Sequence, residues 1–130
     1  MTTSRNVRLP AERKLLWIGP SQDNTRAFPL PVVAKMLTGL EVARLGGKHE
    51  AAKPWKGEGP GIFEMAVEDG DAYRVVYTVR FKEVVYVLHA FQKKSTQGIK
   101  TPEREIETVR KRLKHATADY EVRYGKKRKR

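Results

Sequence analysis

Cysteine is absent from this 130-residue chain. That removes disulfides, thiolate metal sites and cysteine nucleophiles together. Long apolar runs are missing too: nothing approaches the roughly 18 residues that cross a bilayer. The opening MTTSRNVRLPAERK lacks the apolar stretch of a secretory signal. The expected setting is therefore cytoplasmic, with no membrane partner. Acids are scarce, 15 against 27 Lys and Arg, for a net charge of +12. They are scattered over turns and polar segments, with no Asp/Glu/His cluster at ligand spacing, so no metal and no cofactor is expected.

What is present is positive charge on a foldable chain. Hydrophobic residues make up 39% and aromatics 8%, enough for a core and most simply one domain. Six of the positive charges fall in the last eight residues, RYGKKRKR, and the remainder stays net basic without them. Such an excess points to a polyanionic partner. The division expected is a single domain over 1–122 and a basic tail over 123–130.

LLWIG (Leu15–Gly19) reads as a short strand stopped by Gly19-Pro20. SQDNTRAF begins with N-cap residues and suits one or two helical turns. In PLPVVAKMLTGLEVARLGG, Val33, Met36, Leu37, Leu40, Ala43 and Leu45 lie near helical spacing, with Pro31 early and Gly46-Gly47 as a stop. KHEAAKPWKGEGPG, rich in Pro, Gly and Lys around Trp55, reads as a loop of functional length. Three alternating strands follow, IFEMAVE, YRVVYTVRF and VVYVLHAFQK, joined by short turns that make antiparallel neighbours. After the loop KSTQGIK, Thr101-Pro102 opens a last helix with a stripe of Ile106, Val109, Leu113, Ala116 and Tyr120. The class is α+β.

Strand alternation assigns the faces. Tyr73, Val75, Tyr77 and Val79 with Tyr86, Leu88 and Ala90 form the expected core face. Arg74, His89, Phe91 and Lys93 fall on the other, which need not be covered. Positive charge would collect there beside an aromatic ring on which a base can stack. The set suits metal-free RNA cleavage by the adjacent 2′-hydroxyl: Arg74 for the phosphate, His89 for a proton, lysines for flanking phosphates. The bland alternatives are a structural strand histidine, a solvated strand arginine and a solvated Lys93-Lys94 strand end. Trp55 reads as a loop anchor packing on the core.

KPWKGEGPGIFEM, YRVVYTVRF and VYVLHAFQKKSTQGIKTPEREIETVRKRL resemble the phage-derived HigB-like toxins of the RelE/ParE superfamily, from bacterial type II toxin–antitoxin modules. The match runs from about Lys14 to Tyr120. The resemblance implies a curved antiparallel sheet packed by N-terminal helices and a C-terminal helix. It also implies metal-independent, ribosome-dependent mRNA cleavage and neutralisation by a HigA/Xre-type helix-turn-helix antitoxin. Carried over, the catalytic set is Arg74, His89 and Lys93, and the RNA-binding set is Lys53, Lys56, Phe91 and Lys94. Two departures stand out: Met65-Ala66 replaces a common Leu-Arg pair, and the C-terminal tyrosine of some relatives has Tyr120 or Tyr124 as its counterpart. The alternatives kept open are a ParE-like toxin that inhibits DNA gyrase and a basic RNA-binding protein without catalysis.

Overall fold

The computed structural model describes residues 12–93 and 100–128. The elements follow in the order β1 (Lys14–Trp17), α1 (Ser21–Arg26), α2 (Leu30–Arg44), β2 (Ala52–Pro54), β3 (Ile62–Asp69), β4 (Asp71–Thr78), β5 (Val84–Lys93) and α3 (Glu103–Arg128). One five-stranded sheet, ordered β1-β5-β4-β3-β2, carries the α+β domain. The meander is antiparallel as its alternation and turns require. Asp69 and Asp71 face each other around Gly70, whose φ of 83° is a conformation glycine enters without strain. β1 adds parallel to β5, so the sheet is mixed. The stretch expected to be all loop contains β2, which pairs with β3 through three residues. As an edge strand it carries Lys53 and Pro54, both of which discourage pairing with another chain.

Each sheet face buries its own cluster. Val32, Met36, Leu40 and Ala43 of α2 pack on Met65, Val67, Val75, Tyr77, Val85 and Val87. Val109, Leu113, Ala116 and Tyr120 of α3 pack on Val76, Val84, Tyr86, Leu88 and Phe91. The second meander face is therefore not open along its length, contrary to expectation. The apolar stripe of α3 needs a surface, and Val76, Leu88 and Phe91 supply it.

The face assignment within β5 also changes. Val76 pairs with His89 but Tyr77 pairs with Val87, so Leu88 is an extra residue, a β-bulge. Beyond it the alternation reverses. Tyr86 and Leu88, expected on one face with Tyr77 and Ala90, lie under α3, while Val85 and Val87 join Tyr77 and Ala90 on the α2 side.

The buried stripe of α2 is rotated from the expected one. Val32 and Gly39 are buried, whereas Leu37 and Leu45 are 45% and 43% exposed. Gly39 explains this: a Cβ there would stand 2.3 Å from Met65 Sδ, so the helix meets the sheet along its glycine. α3 starts where Thr101-Pro102 places it, with the Glu105 and Ile106 amides donating to the Pro102 carbonyl. It does not stop near Tyr120. An Asp119–Arg123 pair at 2.7 Å and the Tyr120–Tyr124 ring contact at 5.0 Å carry the helix another turn, and it runs to Arg128.

Candidate functional site

α3 lies over β5 and leaves the β2–β3 end of the same face open. There Lys53, Pro54, Trp55, Lys56, Glu64, Thr101 and Ile106 line a groove of about 520 Å³. Two residues at β2 build one side: Lys53 sits opposite Glu64 in the ladder, and Trp55 follows on the same face, packed into the α3-side core. Trp55 is thus the loop anchor its surroundings suggested, 5% exposed. The loop after it is strapped down twice. Arg80 donates to the Glu58 and Pro60 carbonyls, and Arg110 Nε lies 2.9 Å from Glu58 Oε2. That restraint sets where Lys56 stands.

Glu64 lines the groove and is paired with Arg74. Arg74 Nη1 donates to Glu64 Oε1 at 2.6 Å, and both side chains are less than one-fifth exposed. Arg74 Nε has no hydrogen-bond partner among the described residues. Lys93 lies diagonally across the β4–β5 ladder from Arg74, since Ala72 pairs with Lys93 and Arg74 with Phe91. It is buried, and its Nζ also has no partner among the described residues. Burial first, then the charge of Arg74, lowers the Lys93 pKa from its ordinary value, against the pull of Glu64.

The remaining expected residues divide. Lys53 and Lys56 reach the groove and are exposed. His89 is on the predicted face but 6% exposed, with both ring nitrogens engaged by α3: Nε2 lies 2.7 Å from Glu105 Oε1 and Nδ1 3.2 Å from Arg112 Nη1. Phe91 is 6% exposed, belongs to the core and stacks on His89 at 4.9 Å, so its ring is not offered to a base. Lys94 lies outside the described residues. Among those residues there is no group of three His, Asp or Glu side chains that could hold a metal ion. No described helix is long and apolar enough to cross a membrane.

Comparison with known proteins supplies the family. The sequence profile of the family described as phage-derived protein Gp49-like matches residues 23–114, most of the chain. The chain belongs to this family. No curated protein matches it. Its fold is similar to that of a mutant E. coli toxin RelE in the free state, at a TM-score of 0.51 and 20% identity over 67% of this chain and 88% of that one. The isolated E. coli RelE toxin aligns at 22% identity and a TM-score of 0.49, covering 78% of this chain and 98% of that one. The RelBE2 toxin–antitoxin complex of Mycobacterium tuberculosis aligns at 17% and 0.42, covering 64% and 100%. The likeness at 0.51 supports the RelE-type fold.

On this Gp49-like fold the C-terminal tyrosines sit far along α3 from the groove. Tyr120 donates to Glu83 and packs against Phe81 at 4.6 Å, and Tyr86 donates to Asp119 at 2.6 Å. They fasten the far end of the helix. The residue that sequence reasoning missed is Glu64. Strand alternation alone does not tell it from an ordinary solvated glutamate.

Proposed function

We propose that this chain is the toxin of a toxin–antitoxin pair and inhibits translation by cutting mRNA without a metal. The observation that carries the reading is a groove lined by Lys53, Lys56 and Glu64, with Arg74 bonded to Glu64 and Lys93 diagonal to Arg74 in the ladder. Membership in the Gp49-like family and the RelE-type fold support it.

The chemistry assigns roles. The carboxylate of Glu64 takes the proton of the ribose 2′-hydroxyl, whose oxygen attacks the adjacent phosphorus. Arg74, held in place by Glu64, supplies positive charge for the phosphorane oxygens. The bond to the 5′-oxygen breaks, and Lys93, whose Nζ is closed to solvent in the free chain and has to be uncovered as RNA enters, gives that oxygen a proton, leaving a 2′,3′-cyclic phosphate and a 5′-hydroxyl. The shift of Lys93 below the ordinary lysine range suits it to proton donation. Lys53 and Lys56 hold the flanking phosphates. In this reading the substrate is mRNA presented on the ribosome, and the partner that silences the groove is a helix-turn-helix antitoxin, both taken from the resemblance to HigB-like toxins.

The test is inducible expression with mapping of RNA 5′ ends. New breaks inside coding regions are expected, with cleavage by Arg74→Ala slowed about 10²–10³-fold and growth inhibition relieved. Intact mRNA accompanied by DNA damage would point to gyrase instead. Full toxicity in a folded Arg74→Ala protein would remove the proposal.

A further inference from the structure

His89 sits where α3 passes from the sheet to the groove. Its partner Glu105 is the residue before Ile106, which lines the groove wall with Thr101. Arginine can only donate, so Nδ1 accepts from Arg112, and Nε2 must carry the ring proton and donate to Glu105. Arg112 Nη1 also donates to the Leu88 carbonyl at 3.2 Å, and Arg104 Nε lies 3.6 Å from the other Glu105 oxygen. A continuous polar chain therefore ties the first and third turns of α3 to β5. The imidazole is enclosed within it and faces no open groove.

We propose that His89 is a positioning residue: with Glu105 and Arg112 it fixes the first turns of α3 above β5, and so sets the groove wall made by Thr101 and Ile106. The effect on activity rests on the nuclease reading; the docking of α3 does not. Only the neutral ring satisfies both partners. Charging it turns Nδ1 into a donor facing the Arg112 guanidinium. The charged groups around the ring are Glu105, Arg112 and, through Glu105, Arg104, all on α3. β4 presents Val76 and β5 presents Phe91, neither of which titrates. Burial, aided by Arg112 and opposed by Glu105, holds the His89 pKa below its ordinary 6.5. The unfolded chain then binds the proton at higher pH than the folded one. Docking is therefore complete above about 6.5 and weakens as the pH falls beneath it.

The full chain is tested by amide hydrogen exchange and by RNA cleavage. Glu105→Ala is expected to speed exchange across 103–113 by about ten- to hundredfold while β3 and β4 keep their protection. Unchanged exchange there overturns the proposal. His89→Gln, which can still accept and donate but cannot carry a proton at neutral pH, is expected to keep kcat within about tenfold, with the loss appearing in KM. It is also expected to lose the acid limb expected of the wild type. A His89→Gln protein whose α3 exchanges as in the wild type but whose kcat falls by about 10³-fold would make the imidazole a proton carrier and sink the idea. Should His89→Gln not fold, Glu105→Gln replaces it, keeps an acceptor for Nε2 and is expected to exchange as the wild type; rapid exchange across 103–113 would count against the proposal. A wild type that cuts no RNA removes the nuclease reading, and the exchange measurement still decides the docking role.

Discussion

Arg74 already holds one anion, the Glu64 carboxylate. An entering phosphate therefore meets a guanidinium fixed in place. Glu64→Gln keeps a hydrogen-bond acceptor for Arg74 but loses the base, so single-turnover cleavage is expected to fall about 10²–10⁴-fold while RNA affinity is retained. Lys93 must be protonated to act as the acid. Its pKa is lowered, so cleavage is expected to decline with rising pH before ordinary lysines titrate. Lys93→Arg does not deprotonate, and a pH–rate profile of that variant is expected to lose this alkaline limb. Much of this site was legible in the sequence. Alternation placed Arg74 and Lys93 on one side of the meander, and the Lys-rich stretch around Trp55 marked Lys53 and Lys56. The covering of His89 and Phe91 was not legible, because alternation tells which face a side chain takes and not what lies over that face. Glu64 left no mark because partnered and solvated glutamates look alike in a strand.

At the scale of elements, the sequence marked the three described helices and four of the five described strands: periodicity for α2, α3 and the meander, N-cap residues for α1, a short apolar run for β1. Periodicity missed β2, which at three residues is too short to alternate. It missed the bulge because no glycine or proline announces it. The rotation of α2 had a cue in Gly39, whose meaning depends on Met65 standing opposite. Gly39→Ala is expected to destabilise the fold by about 1–3 kcal/mol in urea titration, since Met65 has to leave its place. Leu40→Ala, at a fully buried position on the same helix, is expected to cost about 2–5 kcal/mol by the same measurement.

For the whole molecule, the +12 charge makes long-range attraction to RNA unavoidable. Removing residues 125–130 is expected to lower the slope of log K against log salt by about 0.7 for each single-strand phosphate that the tail no longer neutralises, read by filter binding. Cleavage of a short oligonucleotide that fills only the groove is expected to persist. The two layers on either side of the sheet are held differently. α2 is seated on the sheet chiefly by apolar fit, whereas α3 is also tethered at Leu88, the residue that steps out of the β4 ladder. At that surplus residue the carbonyl accepts from Arg112. Deleting Leu88 would straighten β5 and leave the other side chains facing as they do now, yet it would cost the long helix one of its fastenings, so the irregularity serves the molecule as a mooring.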